Sequence, residues 1–483
     1  MDPRELRTAG RLVWAVSLGS FVAQLAVTSL SRAWAWDEAI YLSQVTRHTQ
    51  ALPFVASRAR GITLLIAPLT WSGTPGWAIR LVLAVASSAL LGLVFRAWVP
   101  RVGYAAPVGA FLFAMSWPAL LYGSEVMPNL WAALLGVGVV GFLARDSTVD
   151  GAGRRNRMGL AVCAGSMALM RPPDALVLAL ALTLAVIVFS RDTWRSLIYL
   201  SIGVAVGWMP WLIEMSVRFG GPLSALRSAR EVSHLAGSAT GVMSHLALTD
   251  GPLLGPDRGG GIPVVGVIWW GALLGLVLVA LVLERRGEES LSVRMAVIGG
   301  VALALEYLVL VSGLAPRFLL PSLALLSLGA GCGLNALRRS AVFGRAATGV
   351  VVSIIVAWTM WQVGTLRRIE TRAAAERAVP TAVGGAIQRE LMDQDGPCVV
   401  ASSDAYPQVA FAAGCGGYQL GPMGDDALRR SPTVADEALV FVTRSPIAID
   451  QTSLELEPLG EPAAGWFAYR VLSSAALGSV GAT

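Results

Sequence analysis

Long apolar stretches separated by short polar connections fill the first 365 residues of the chain. A spanning helix needs roughly 20 mostly apolar residues, and eleven stretches approach or reach that length. They cover residues 11–30, 77–98, 104–121, 127–144, 158–171, 174–190, 195–214, 262–283, 294–313, 317–337 and 345–364. A shorter apolar stretch at 61–71 predicts an interfacial segment. Residues 1–365 are therefore predicted to form an α-helical polytopic membrane domain with about eleven transmembrane helices.

The pattern changes after residue 365. Residues 366–483 contain short strand-like runs at 398–401, 438–442 and 466–471, and helical stretches near 367–393 and 404–413. Mixed short elements of this kind predict a small, soluble α/β domain.

Composition excludes several classes of protein. Hydrophobic residues make up 55% of the chain and charged residues 14%, with a mean hydropathy of +0.63. A soluble globule carries about 25% charged residues, and disorder requires low hydrophobicity with high charge. Four cysteines in 483 residues exclude a disulfide-dense scaffold.

Arginine distribution predicts the orientation in the membrane. All 37 basic residues are arginine, which with abundant Ala, Gly and Val suggests a high-GC bacterial genome. Loops that are cytoplasmic if the N-terminus is inside carry about three times the arginine density of the opposite loops. We expect a bacterial plasma-membrane protein with a cytoplasmic N-terminus and an extracytoplasmic C-terminal domain.

The net charge of +6 does not indicate a nucleic-acid partner. From residue 366 onward, nine arginines stand against fourteen acidic residues, so the basic excess belongs to the membrane domain. Cys398 and Cys415 would face an oxidising compartment, where a disulfide between them is possible. Cys163 and Cys332 fall inside predicted spans and are expected to be packing residues.

Several charged residues cluster at the predicted extracytoplasmic ends of different spans. Asp37 and Glu38 follow the first span within an aromatic segment that includes Tyr41. A carboxylate between aromatic residues and lipid is partly desolvated, which makes it a better general base. The structural alternative makes Asp37 a helix N-cap and Glu38 a first-turn acid.

Four short motifs occur in the same order as in a known family. They are Asp37-Glu38 with the following aromatic residue, Ser124-Glu125-Val126-Met127-Pro128, Met170-Arg171-Pro172-Pro173-Asp174 and Pro316-Arg317-Phe318-Leu319-Leu320-Pro321. This order resembles the GT-C membrane glycosyltransferases, which include protein O-mannosyltransferases and lipid A aminoarabinose transferases. The aminoarabinose transferases carry a Lys-Pro-Pro element in the first loop, where this chain has Ser57-Arg58-Ala59-Arg60-Gly61.

The resemblance implies sugar transfer from a polyprenyl-phosphate donor to an acceptor hydroxyl on the extracytoplasmic face, with inversion. Asp37 would be the general base, with Glu38 and Glu125 assisting. Arginine would hold the leaving phosphate, and the candidates are Arg58, Arg60 and Arg317. The alternatives are snorkelling at the membrane surface for Arg58 and Arg60 and a helix-end anchor for Arg317.

The remaining candidates have supporting roles. Tyr41, His234 and His245 are acceptor-binding candidates, and Arg171 and Asp174 are expected to brace their turn by pairing or capping. The family's donor sugars suggest mannose or another hexose, with arabinose possible. The acceptor could be a protein, a glycan, a lipid or a secreted peptide.

No cofactor and no divalent metal are expected, because the spacing of the histidines fits no compact metal pair. Glu214 and Glu306 lie at or inside apolar spans, which is unusual, and a buried structural contact is the preferred interpretation for Glu306. Arg317 is its possible partner if neighbouring helices bring the two together.

Two other functions remain open from the sequence. A lipid or sugar transporter or flippase would favour charges around a midplane cavity and repeat symmetry, whereas these acids cluster near one surface. A non-catalytic GT-C-like partner subunit would leave Asp37 dispensable.

Overall fold

The fold is given by a computed structural model. It describes residues 2–146, 153–189, 194–235, 264–283, 288–310, 315–339, 344–391, 397–402, 404–419, 438–444 and 456–471. Most of the described residues are helical.

The helices of the first 235 residues are numbered in chain order. They are α1 (Pro3–Val27), α2 (Trp36–Ser43), α3 (Gly61–Trp71), α4 (Gly76–Arg96), α5 (Val99–Val102), α6 (Ala105–Ala114), α7 (Trp117–Tyr122), α8 (Pro128–Asp146), α9 (Gly153–Met170), α10 (Pro172–Phe189), α11 (Trp194–Arg218) and α12 (Pro222–Leu235). Pro172 begins α10 immediately after α9 ends, which agrees with the preference of proline for the first helical turn.

The remaining helices are α13 (Val264–Leu283), α14 (Glu288–Leu305), α15 (Leu320–Arg339), α16 (Gly344–Glu390) and α17 (Tyr406–Ala413). A π-helical turn, Glu306–Leu310, continues α14, and a 3₁₀ turn, Pro316–Leu319, precedes α15.

Eight of the described helices are long and apolar enough to cross a membrane. They are Pro3–Val27, Gly76–Arg96, Pro128–Asp146, Pro172–Phe189, Trp194–Arg218, Gly266–Leu283, Ser290–Val309 and Pro316–Arg339. The chain is thus a multi-pass membrane protein, as the sequence predicts.

The other three predicted spans take different forms. The apolar run 104–121 is divided between α6 and α7, because Ser116 is extended there (ψ 139°). Because of this break, the Trp117 backbone N–H is not bonded within a helix, and it donates to Gln362 Oε1 at 2.7 Å. The run 158–171 lies in α9, which begins earlier with polar residues, and the run 345–364 lies in the 47-residue helix α16.

Helices α8 and α15 form the centre of the helical core. Within their most apolar windows, 89% and 94% of the residues are buried. A helix that is apolar on all sides is expected to be buried in this way. Helix α15 approaches α6 at Gly331 and Gly109, where a Cβ on Gly331 would lie 2.6 Å from the Gly109 nitrogen. Only glycine permits this close approach.

The chain divides into two compact units. The first, the helical unit, comprises Met1–Leu30, Ala56–Ile62 and Arg80–Glu370. The second, the sheet unit, comprises Ser31–Val55, Thr63–Ile79 and Thr371–Thr483. Parts of the first long loop therefore belong with the C-terminal residues. The sequence boundary between residues 365 and 366 stays a prediction.

The sheet unit contains five described strands. They are β1 (Cys398–Ser402), β2 (Gly416–Gln419), β3 (Ala438–Thr443), β4 (Leu456–Ala463) and β5 (Trp466–Val471), in the order β2-β1-β3-β5-β4. Strand β1 runs parallel to β2 and β3, and β5 runs antiparallel to β3 and β4. The predicted α/β character is confirmed.

Helix α17 connects the parallel strands β1 and β2. Parallel neighbours need such a crossover, and a helix is the usual one. Cys398 and Cys415 form a disulfide between the start of β1 and the residue before β2, as the sequence suggested. The free cysteines Cys163 and Cys332 are buried, in agreement with a packing role.

Candidate active site

The predicted site residues are distributed over both units. Asp37, Glu38 and Tyr41 lie in the sheet unit. Those in the helical unit are Arg58, Arg60, Glu125, Arg171, Asp174 and Arg317. The backbone of His234 lies in α12, but its side chain and the whole of His245 lie outside the described residues.

Helix α2 is fixed at its start by Glu38. The Glu38 carboxylate accepts a hydrogen bond from the Ala35 backbone N–H at 2.9 Å, as the N3 acid of a capping box does. Ala35, rather than Asp37, is the N-cap residue. Glu38 is fully buried and also pairs with Arg377 at 3.8 Å. Its neighbour Asp37 is half-buried in the first turn of the same helix.

The end of α2 is held by the loop that follows. Ser43 Oγ accepts from the Leu52 backbone N–H at 3.1 Å, and Gln44 donates to the Leu52 carbonyl at 2.8 Å. Tyr41 is buried with its ring edge-on to Phe54 at 5.9 Å. The predicted catalytic carboxylate therefore stands on a helix anchored at both ends.

In the helical unit, Arg60 forms a forked ion pair with Glu214. Arg60 Nε lies 3.1 and 3.0 Å from the two carboxylate oxygens, and Nη2 lies 2.6 Å from Oε1. Arg218, one turn further along α11, donates to the same carboxylate at 3.0 Å. Trp211 of the same helix holds the segment that precedes Arg60 against α11, because its indole N–H donates to the Ala56 carbonyl at 3.0 Å.

Gly61 brings the same segment to the end of α9. A Cβ at Gly61 would lie 2.6 Å from the Leu169 carbonyl oxygen and 2.8 Å from Met170 Cα. Only a residue without a side chain fits there. The segment that carries Arg60 therefore lies beside the turn that carries Arg171.

Arg171 and Asp174 pair across that turn, as predicted. Arg171 Nε lies 3.0 Å from both carboxylate oxygens, and Asp174 is completely buried. The Tyr307 hydroxyl donates to Asp174 at 2.5 Å and accepts from the Arg171 guanidinium. One carboxylate, one guanidinium and one phenol are thus joined by hydrogen bonds inside the helical core.

Phe318 extends this cluster to Arg317. Its ring stacks on Tyr307 with 5.1 Å between centroids. The Arg171 guanidinium lies 5.5 Å from the Phe318 centroid and the Arg317 guanidinium lies 5.1 Å from it. Cations at these distances are attracted to the ring face. We call Arg171, Asp174, Tyr307 and Phe318 the paired cluster.

Glu306 adds a second buried carboxylate beside the paired cluster. It is 6% exposed, and among the described residues its Oε2 atom has no hydrogen-bond partner. Asp174 repels its charge and Arg171 attracts it. Arg171 is thus a charged neighbour of Glu306, and a pairing of Glu306 with Arg317 stays a prediction. Glu306 begins the π-helical turn, and such turns are frequent at functional sites.

Glu125 lies in the connection between α7 and α8 and is 1% exposed. The 3₁₀ turn that carries Arg317 packs against both of these helices. Arg80, fully buried in α4, donates to the Ser124 carbonyl at 3.2 Å. Arg80 was not among the predicted site residues, although an ionisable residue inside an apolar span is itself a sign of function.

The paired cluster also contains residues that sequence reasoning missed. Tyr307 follows an acidic residue within a span, and Phe318 is the aromatic position of the fourth motif. No group of three or more His, Cys, Asp or Glu side chains that could hold a metal ion occurs among the described residues.

Several solved structures share the fold of this chain. The chain is similar to ArnT from Cupriavidus metallidurans bound to undecaprenyl phosphate, with a TM-score of 0.66 and 14% identity over 95% of this chain and 98% of that one. It is also similar to the oligosaccharyltransferase AglB from Archaeoglobus fulgidus, solved with an inhibitory peptide and a dolichol-phosphate. That match has a TM-score of 0.53 and 13% identity, over 89% of this chain and 69% of that one.

The apo state of the same ArnT gives a TM-score of 0.62 at 14% identity, over 94% of this chain and 97% of that one. No protein-family model and no curated protein sequence matches the chain. The chain has the GT-C fold, as the ordered motifs predicted.

Proposed function

We propose that this protein transfers a sugar from a polyprenyl-phosphate donor to an acceptor hydroxyl at the extracytoplasmic face of the bacterial plasma membrane. The GT-C fold, shared along nearly the whole chain with an ArnT bound to undecaprenyl phosphate, carries this proposal. The half-buried Asp37 on a fixed helix supports the assignment of a base.

The reaction is an inverting displacement. The acceptor oxygen forms a bond to the anomeric carbon while the bond from that carbon to the donor phosphate oxygen breaks. Polyprenyl phosphate leaves with the electron pair, and Asp37 takes the hydroxyl proton. The transition state has oxocarbenium character, as in related sugar chemistry.

Asp37 is preferred over Glu38 as the base. The Glu38 carboxylate is fully buried and holds the start of α2, whereas Asp37 is only half-buried, and a base must reach the proton it abstracts. We therefore give Glu38 the role of fixing α2. Tyr41, buried against Phe54, supports the same helix.

The leaving phosphate gathers negative charge that arginine is suited to stabilise. We assign this role to Arg58, Arg60 and Arg317, and the fork to Glu214 holds the Arg60 guanidinium in place. The paired cluster holds the Phe318 ring against which Arg317 lies, so we assign Arg171 and Asp174 a positioning role. Glu125 assists the base or binds the acceptor, and His234 and His245 contact the acceptor.

The donor sugar is proposed to be mannose or another hexose, with arabinose as the alternative. The acceptor is a protein, a glycan, a lipid or a secreted peptide. A domain boundary at residue 365 would leave residues 366–483 to present that acceptor.

The test is transfer by purified protein from radiolabelled polyprenyl-phosphate-mannose to solubilised membranes. Asp37→Asn should lower the rate by about 10²–10⁴-fold, the usual contribution of a general base. Asp404→Asn makes the same change at an exposed turn of the sheet unit and should leave the rate unchanged.

Full activity in Asp37→Asn would reject the base assignment while retaining the enzyme. No transfer by the wild type from mannose, other hexose or pentose donors would reject the glycosyltransferase and favour a transporter or a partner subunit.

A further inference from the structure

A basic cavity of about 860 Å³ lies in the helical unit, away from the paired cluster. Helix α1, the ends of α4 and α8, and the start of α9 surround it. Arginines supply five of its lining side chains: Arg7, Arg11, Arg96, Arg145 and Arg155. Of the described residues that line it, none is acidic. We call this cavity the arginine pocket.

The arginine pocket concentrates positive charge between α1, α4, α8 and α9. Across the described part of the chain, no carboxylate forms an ion pair with Arg7, Arg11, Arg96 or Arg155. Arg145 is half-buried and is repelled by Arg155 and by the nearby Arg101. Like charges held together in this way favour an anion that can bridge them.

The acidic residue Asp146 lies near the pocket arginines but has other partners. Asp146, at the end of α8, accepts from Arg157 at 2.9 Å and from the Ser196 hydroxyl, and it does not line the cavity. Asp146 therefore pairs with an arginine outside the pocket and does not reach the arginines that line it. A planar guanidinium matches phosphate oxygens in a two-pronged geometry.

Two glycines line the arginine pocket. Gly10 of α1 faces Arg96, whose Nε would lie 4.0 Å from a Cβ at that position. Gly159 of α9 faces the Phe142 ring, which would lie 2.9 Å from a Cβ there. The absence of a side chain at Gly159 therefore lets α9 pack closely against Phe142, which forms part of the cavity wall.

One wall of the arginine pocket is apolar and belongs to membrane-spanning helices. Trp14 on α1 is 37% exposed and Leu93 on α4 is 58% exposed, and both line the cavity. Further along α1, Leu18 is 63% exposed and Val22 is 56% exposed. A continuous apolar surface thus leads from the arginines along the helix, which suits a ligand that has both a charged group and a hydrocarbon chain.

We propose that the arginine pocket binds the headgroup of an anionic membrane lipid that carries two phosphate groups. Four guanidinium groups without a carboxylate partner among the described residues exceed what one phosphodiester needs, and the Trp14 wall accommodates an acyl chain. Under the orientation that the arginine distribution predicts, the site faces the cytoplasmic leaflet. Basic pockets between helices on that side are suited to such headgroups.

The test measures binding of radiolabelled cardiolipin to delipidated, full-length protein in detergent. The variant R11Q/R155Q removes one pocket arginine from α1 and one from α9, and we expect it to weaken binding at least tenfold. The matched variant R4Q/R154Q removes one arginine from each of the same helices outside the pocket and should change binding less than twofold. If R11Q/R155Q does not fold, R96Q replaces it, with at least a threefold loss expected.

Three results would overturn the proposal. Equal losses in the two double variants would mean general attraction to a basic surface. Equal binding of phosphatidylcholine would remove the requirement for an anionic headgroup. Inorganic diphosphate that binds as tightly as cardiolipin would identify a free anion, not a lipid, as the ligand. None of these results depends on sugar transfer, so failure here leaves the proposed function untouched.

Discussion

Arginine serves two different purposes at the two ends of α9. At the C-terminal end, Arg171 donates to a buried carboxylate and a buried phenol within the paired cluster. At the N-terminal end, Arg155 faces other arginines across the arginine pocket. The two residues lie about 24 Å apart along the helix at 1.5 Å per residue.

The two ends of α9 differ in the source of the group that neutralises each arginine. A buried charge is costly unless it is paired and hydrogen-bonded, and the paired cluster meets this requirement entirely from within the protein. The arginines of the pocket are mostly exposed, so water can solvate them until an external anion binds. One end is therefore complete as folded, and the other end is suited to a ligand.

The largest expected effect is a difference in stability between a variant of the paired cluster and a variant of the arginine pocket. Asp174→Ala removes the carboxylate that pairs with Arg171 and should destabilise the protein by about 3 kcal/mol, because breaking a buried pair leaves an uncompensated charge. Arg155→Ala should change stability by less than about 0.5 kcal/mol, as exposed substitutions usually do. Unfolding of both variants in the same detergent measures the difference, and similar losses would remove the contrast.

A smaller effect is expected for the phenol. Tyr307→Phe removes only the hydroxyl that donates to Asp174 and accepts from Arg171, and should cost about 2 kcal/mol because both partners are charged. Tyr199→Phe on α11 is a matched control and should be neutral. A neutral Tyr307→Phe would show that the Arg171–Asp174 pair needs no third group.

The next smaller effect on stability comes from replacing the planar guanidinium of Arg60 by a lysine ammonium group. Arg60→Lys keeps the charge but loses the fork that holds Glu214, and should cost about 1 kcal/mol. Arg4→Lys, on an exposed helix start, provides the control. Equal stabilities of the two variants would mean that Glu214 requires only a positive charge.

The smallest effect is the response to salt. Salt screens exposed charges within about a Debye length, so raising ionic strength should stabilise the wild type by on the order of 0.5 kcal/mol through relief of repulsion in the arginine pocket. The double variant R11Q/R155Q should lose this response. Chemical denaturation by urea at low and high NaCl compares them, and an unchanged salt response in the variant would place the repulsion elsewhere.

The sequence predicted the parts of this protein that depend on local pattern. Apolar length predicted a multi-pass membrane protein, since a helix must cover a fixed thickness of hydrocarbon. Strand-like runs predicted the sheet unit, although β2 and β4 were missed because Gly416-Gly417 and Pro458 are poor strand formers. The order of four motifs predicted the GT-C fold, and the turn between two spans predicted that Arg171 and Asp174 brace it by pairing or capping.

Partners that are distant in sequence were decided by tertiary structure alone. Arg60 meets Glu214, 154 positions away, only because Gly61 and Trp211 bring the segment onto α9 and α11. Tyr307 reaches Asp174 across 133 positions through the packing of α10 on α14. Spacing within one helix cannot encode such meetings. Hydrophobic pattern selects which face is buried, whereas close packing between helices selects which charges meet and which remain for a ligand.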